Sequence, residues 1–247
     1  MKKDKLKLSA LAFLLVLSSL SCITLHQRYP AHDVDHSDPW IFSQPTPQTQ
    51  LSPEATEYLE QHFSASNSIK KIGSILSWIR RNFDNYKGGG KMVAKQSAQQ
   101  IFDSRKLTGC NDWGILLTAI LRSQGYPVVF LNAAGIEWAK AYRKNPTTAF
   151  SGHVFLEIYL SGKWIVMDSV TGEYIDDYDI DDPVIPIPKK NASEKGYFVY
   201  QKGLDHWTMG IQSIQDSKKI MRKFALNYPL EKIIIKHKEI KKLTSTK

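Results

Sequence analysis

The stretch Leu107–Pro127, reading LTGCNDWGILLTAILRSQGYP, constrains the fold of this chain more than any other. Trp113, Leu116, Leu117, Ile120 and Leu121 recur at i, i+3, i+4, i+7 and i+8, the spacing of one buried helical face. Gly125 stands where a left-handed residue would close the helix, and Pro127 forbids its continuation. Cys110 therefore falls at or next to the helix N-terminus, at the edge of the apolar stripe rather than inside it. Unpaired N–H groups and the positive end of the helix dipole favour a thiolate at such a position. Plain packing is the commoner explanation of a lone cysteine, so a chemical role needs partners.

With 42% hydrophobic and 11% aromatic residues, the 247-residue chain has ample material for a core, which excludes global disorder. Its first residues are of another kind. Lys2, Lys3, Lys5 and Lys7 form a basic region ahead of the apolar run Leu8–Leu20, which is too short to span a bilayer comfortably. Ser19 and Ser21 supply small residues at −3 and −1 of a cut before Cys22. Residues 1–21 thus read as a signal peptide, and the protein is expected to be exported to the periplasm or cell envelope. A cysteine directly after the cut also resembles a bacterial lipoprotein signal, so acylated Cys22 is an expected membrane anchor. Cys110 is the second of only two cysteines, and losing or acylating Cys22 leaves it unpaired in an oxidising compartment. The terminal position of Cys22 disfavours a disulfide between the two.

Residues 1–21 hold four lysines and one aspartate, so their removal lowers the net charge from +9 to +6. Residues 231–247 hold six lysines and two glutamates and so carry most of what remains. Basicity is a property of that tail, expected to be solvated and frayed. Nucleic acid is not an expected partner, and the domain is expected to be a monomer.

Prolines 30, 39, 45, 47 and 53 interrupt a polar, aperiodic stretch, so residues 22–52 read as a tether. His32, Asp33, Asp35, His36 and Asp38 lie within it. Their setting argues against a built metal site, and no metal or cofactor is expected. Ser52-Pro53-Glu54 marks a helix start. A second helix is expected over 68–83, a glycine turn at 88–90 and a short helix near 97–102. After the central helix come a strand at 128–132 and an irregular insertion over 134–150, partly helical near 136–142. Two alternating strands, 153–160 and 163–168, follow, joined by the turn Ser161-Gly162. Glu173, Asp176, Asp177, Asp179, Asp181 and Asp182 read as a solvated charge run rather than a calcium loop. A strand near 196–201 and a closing helix over 217–228 complete an α+β pattern, one domain over residues 53–230.

The hairpin supplies the partners. If its turn centres on Ser161-Gly162, Leu160 faces Lys163 and Phe155 faces Asp168. His153 lies two residues from Phe155 on the same face, so Asp168 is its diagonal neighbour, with Cβ atoms about 7 Å apart. A slip of one residue would send Asp168 to the other face. With Cys110 these make a nucleophile, a base and an orienting carboxylate, and the Cys110 N–H is placed to donate to an oxyanion. Asp205-His206 forms a rival acid–base pair without a nucleophile.

The chain resembles the transglutaminase-like superfamily of papain-fold cysteine enzymes. TGCNDW around Cys110, the helix ILLTAILRSQGYPV, GHVFLEIYL around His153 and GKWIVMDSV around Asp168 carry the resemblance. It extends upstream through ILSWIRRNFDNY and SAQQIFDSRKL, and so covers roughly Ile69–Thr171. It implies a papain-like core, with N-terminal helices and the cysteine helix packed on an antiparallel sheet. It further implies Cys110 as nucleophile, His153 as base and Asp168 as third member of a triad, with no cofactor. Trp78, Tyr86 and Gln99 are candidates for a second oxyanion donor; Asp112 reads as a first-turn acidic residue that stabilises the helix, with tuning of the site as the alternative. The activity implied is a cysteine protease or amidase acting on a protein or peptide of the envelope, hydrolysis being favoured over acyl transfer. The alternative is a non-catalytic module that holds an envelope peptide or cell-wall stem in the same cleft.

Overall fold

The computed structural model describes residues 34–63, 68–85, 89–189 and 194–243. Helix α1, Pro53–His62, starts where Ser52 accepts the Ala55 N–H and Pro53 occupies the first turn. Ser68 caps α2, Ile69–Asn82, in the same way. Helix α3, Ala98–Ser104, opens on a capping box between Ser97 and Gln100. Helix α4, Cys110–Ser123, is followed by Gly125 at φ +80°, the left-handed closure expected there. Strands β1, Asp84–Asn85, and β2, Lys106–Leu107, form a short parallel pair ahead of it.

The main sheet contains β3, Val128–Gly135; β4, Gly152–Leu160; β5, Lys163–Asp168; β6, Glu173–Ile175; β7, Val184–Ile185; β8, Tyr197–Gly203; and β9, Lys241–Lys242. Its order is β7-β8-β3-β4-β5-β6-β9, antiparallel throughout. Helix α5, Ile136–Lys144, follows β3, so the expected insertion is largely helical. The buried Glu194 carboxylate accepts the Glu137 and Trp138 N–H groups, both at 3.0 Å, and so caps α5 from a distant segment. Helix α6, Ile214–Asn227, packs beside α5 and β8. The architecture is the α+β arrangement expected, with helices on an antiparallel sheet.

In the β4–β5 hairpin Leu160 pairs with Lys163 and Phe155 with Asp168. Ser161 and Gly162 both have positive φ, 52° and 85°, the twist that suits a two-residue hairpin. The turn chemistry read in the sequence therefore sets this register.

Helix α4 is buried from Asn111 to Arg122, because α1, α2 and α3 cover the side that the sheet does not. Gly114 permits the contact with the sheet. A Cβ there would lie 2.5 Å from Val154 Cγ1 and 2.9 Å from Phe130 Cε2, well inside ordinary packing distance. That approach brings the start of α4 against the start of β4.

Two stretches differ from expectation. Residues 34–52, read as part of a tether, lie against the domain: Phe42, Thr46, Gln48, Thr49 and Leu51 are buried. The Arg122 guanidinium holds them. Its Nε donates to the Phe42 carbonyl at 2.9 Å, Nη1 to Thr49 Oγ1 at 3.1 Å, and Nη2 to the Val128 and Leu204 carbonyls at 2.7 and 2.9 Å. An aperiodic, proline-rich segment satisfies its polar groups this way without forming a long regular element. His36 bonds buried Glu157 at 2.8 Å, and Lys202 meets the same carboxylate at 2.6 Å. The leader, Cys22 and the rest of the tether lie outside the described residues. Among those described, no helix is long and apolar enough to cross a membrane.

The basic tail is the second difference, because through residue 243 it crosses the acidic loop. Lys236 pairs with Asp182 at 2.9 Å, Lys238 with Asp177 at 2.7 Å and Lys241 with Asp176 at 2.8 Å, while β9 extends the sheet beside β6. Opposite charge runs distant in sequence meet here; being exposed, these pairs add little each.

Candidate active site

Cys110 is the first residue of α4, partly exposed on the wall of a cleft of about 580 Å³. His153 stands at the start of β4 and Asp168 at the end of β5. The three meet. His153 Nε2 lies 3.0 Å from Asp168 Oδ2. The Cys110 thiol is the other hydrogen-bonding neighbour of the ring. Asp168 Oδ1 accepts the backbone N–H groups of Val170 and Thr171, at 2.8 and 3.0 Å, so the carboxylate is fixed by its own turn. The ring of His153 packs edge-on against Phe155 and leans on Tyr197, with centroids 4.9 and 5.5 Å away.

These contacts change the acidities. Burial pushes the Cys110 thiol up, but the hydrogen bond and positive charge of His153 outweigh it, and the thiol ends below its ordinary value of 9.0. Burial opposes charge on His153 as well, yet Asp168 and the thiolate hold a proton on the ring and raise it to about 10. Asp168, pushed up by burial, is drawn below its usual range by His153 and the two backbone donors. The resting pair favoured is thiolate and imidazolium. Helix geometry leaves the N–H groups of Cys110 and Asn111 without acceptors inside the helix, beside the sulfur, while the Asp112 N–H donates to the Gly109 carbonyl at 3.1 Å.

The other residues singled out in the sequence lie elsewhere. Trp78 is buried in an aromatic cluster with Phe63, Phe83 and Phe102. Gln99 bonds the Ser52 N–H and Asp103. Neither lines the cleft, and Tyr86 is outside the described residues. Asp112 takes the N–H and hydroxyl of Thr108, at 2.8 and 2.5 Å, and braces the loop ahead of Cys110. Asp205 and His206 do not form a pair. Asp205 accepts from Thr46 and Thr208, while His206 meets Asn132 at 2.9 Å and is held neutral by burial, down to about 3. Asp35 and Asp38 accept neighbouring backbone N–H groups, and His36 is taken by Glu157.

Sequence reasoning missed the far wall of the cleft. Thr147–Phe150 of the loop after α5, with Ile214, Lys218 and Met221 of α6, face Cys110 across it. An apolar helical face announces burial but not the groove it will border.

Residues 57–169 match the family model of the transglutaminase-like superfamily. That segment is a transglutaminase-like core. It runs from α1 to just beyond Asp168, and so contains α4, β4, β5 and all three meeting residues. The transglutaminase-like core is a cysteine-enzyme fold, with the sulfur at a helix start and the histidine on the facing sheet. No curated protein matches the chain. A solved structure from Cytophaga hutchinsonii, proposed to be a cysteine protease, is similar at 20% identity with a TM-score of 0.49. The match covers 74% of this chain and 52% of that one, so the present chain accounts for about half of that protein's length.

Proposed function

We propose that this protein is a cysteine-dependent amide or peptide hydrolase in which Cys110, His153 and Asp168 act as one catalytic unit. The contact of thiol, imidazole and carboxylate at a cleft wall, with the sulfur heading a buried helix, carries the reading. The thiolate attacks the amide carbon, forming the C–S bond and placing the electron pair on oxygen. The Cys110 N–H stabilises that oxyanion. The His153 imidazolium then gives its proton to the leaving amine as the C–N bond breaks, and an acyl-thioester remains. Neutral His153 takes a proton from water, whose oxygen displaces the sulfur and releases the acid. An amine in place of water would make the reaction acyl transfer, and the mass of the product distinguishes the two. The basic and apolar run Lys2–Leu20 ahead of Cys22 supports placing this chemistry in the cell envelope, anchored through Cys22. The mass of the mature N-terminus tests both cut and acylation: an uncut chain would refute them.

Alkylation of Cys110 followed against pH tests the chemistry. Iodoacetamide should react with an apparent pKa below 9.0, and His153→Ala should slow the neutral-pH reaction at least about tenfold. A rate no faster than that of free cysteine, unchanged by His153→Ala, would defeat the reading. A cleft that only holds peptides would bind them equally in wild type and Cys110→Ala, with cleavage by neither.

A further inference from the structure

The cleft beside Cys110 has a one-sided charge. Besides the Cys110 thiolate and the His153 imidazolium, which offset one another, Lys218 is the only charged side chain on its lining among the described residues, and no carboxylate lines it. Lys218 lies in the second turn of α6, half-buried, with Nζ 5.0 Å from the centre of the Phe150 ring. Arg222, one turn on, places its guanidinium 5.2 Å from the same ring. A ring face holds an ammonium group in position without neutralising it. The acidic groups nearby are engaged elsewhere. Asp216 accepts the Ser213 hydroxyl at 2.8 Å and the Gln212 N–H at 3.1 Å, closing the start of its own helix. Asp168 stands behind the His153 ring. Val93, Phe150, Ile214 and Met221 give the same cleft its apolar surface, beside the hydroxyls of Thr147, Thr148 and Ser217.

We infer that the cleft takes an acyl donor bearing an apolar side chain and, beyond it, a carboxylate that Lys218 receives. This rests on the reading of Cys110 as an acyl-accepting thiol. An apolar groove with one uncompensated cation selects a ligand that is mostly apolar and ends in a single negative charge. The carboxylate is either a peptide C-terminus or the side chain of an aspartate or glutamate. Lys218 sets specificity in this assignment and has no part in the bond-making steps.

Three thiol-reactive peptides test it: bromoacetyl-Leu-Leu with a free C-terminus, its amide, and bromoacetyl-Leu-Glu amide. The thiolate displaces bromide and a C–S bond replaces the C–Br bond. Both acids should inactivate the protein roughly three- to tenfold faster than the neutral amide, the range of a partly exposed ion pair. The faster of the two acids identifies the terminal or side-chain source. Lys218→Met should remove the margin and Lys218→Arg should keep most of it. Whatever attraction His153 exerts is common to all three proteins. Equal rates in wild type, or a margin that survives Lys218→Met, would overturn the assignment. The same peptides with acetyl in place of bromoacetyl, titrated into Cys110→Ala and its Lys218→Met double variant, read recognition apart from reactivity. A Lys218-dependent preference there, with a thiol no more reactive than free cysteine, would refute the hydrolase and leave carboxylate recognition standing. No preference there would overturn the latter.

Discussion

Cys110→Ala is expected to abolish peptide turnover, and His153→Ala to lower kcat by about 10³-fold or more, because members of one catalytic unit fail together. Asp168→Asn is expected to leave the thiol in place and change the pH profile instead. In the wild type, kcat/KM should rise as Cys110 ionises below 9.0 and fall as the imidazolium loses its proton near 10. The asparagine removes the charge that holds that proton, so the alkaline limb should move down towards 6.5; the same charge raises the thiol, so the bell should narrow from its alkaline side. Alkylation needs only the thiolate, so it should show the acid limb without the alkaline fall. The same shift enters stability. A histidine raised from 6.5 to about 10 contributes stability that is complete below 6.5 and is lost as pH rises through 10. A bell of unchanged width in Asp168→Asn would show that the carboxylate does not act on the ring.

Arg122→Met should have the largest effect on stability of any change outside the site. Arg122 is 4% exposed, and burial lowers its pKa to about 10. Its four hydrogen bonds join the segment at 42–49 to the end of α4, the start of β3 and the residue after β8. Methionine fills most of the volume but removes the guanidinium donor from three buried carbonyls and from Thr49 Oγ1, which keeps the Thr46 N–H, a loss of about 2–4 kcal/mol. The urea midpoint should fall accordingly, and limited proteolysis should cut first within residues 34–52. Arg122→Lys should rescue little, since a single ammonium cannot reproduce the planar fork. A midpoint shift worth less than about 0.5 kcal/mol would place the segment's anchorage elsewhere.

Much of the site was legible because its parts are local. The periodicity of Trp113 to Leu121 marked one helix, and Gly125 with Pro127 ended it, which put Cys110 at its start. The dipeptide Ser161-Gly162 adopts the twist that a tight hairpin needs, and one turn then decides every pairing along two strands. Residues 34–52 depart from the expected tether for a physical reason as well. Proline and polar residues deny a segment helix or strand, but they do not stop it from packing when a buried donor such as Arg122 supplies its hydrogen bonds. Nothing in the neighbours of Arg122 says that it faces inward. The same holds for the oxyanion candidates: Trp78 lies in a separate aromatic cluster, although its residue type suited the part.

From the sequence alone it follows that a cysteine would head a helix and that His153 and Asp168 would share a face, since helix period, helix-terminating residues and hairpin register are set by neighbours along the chain. Only the tertiary structure decided that these two units meet. Gly114, which lets α4 approach Val154 and Phe130, brings sulfur to imidazole. Only packing, too, laid α6 across the mouth with Lys218 leaning on Phe150. Contacts between elements far apart in sequence depend on the shapes of the faces that pack, and no local pattern encodes those shapes.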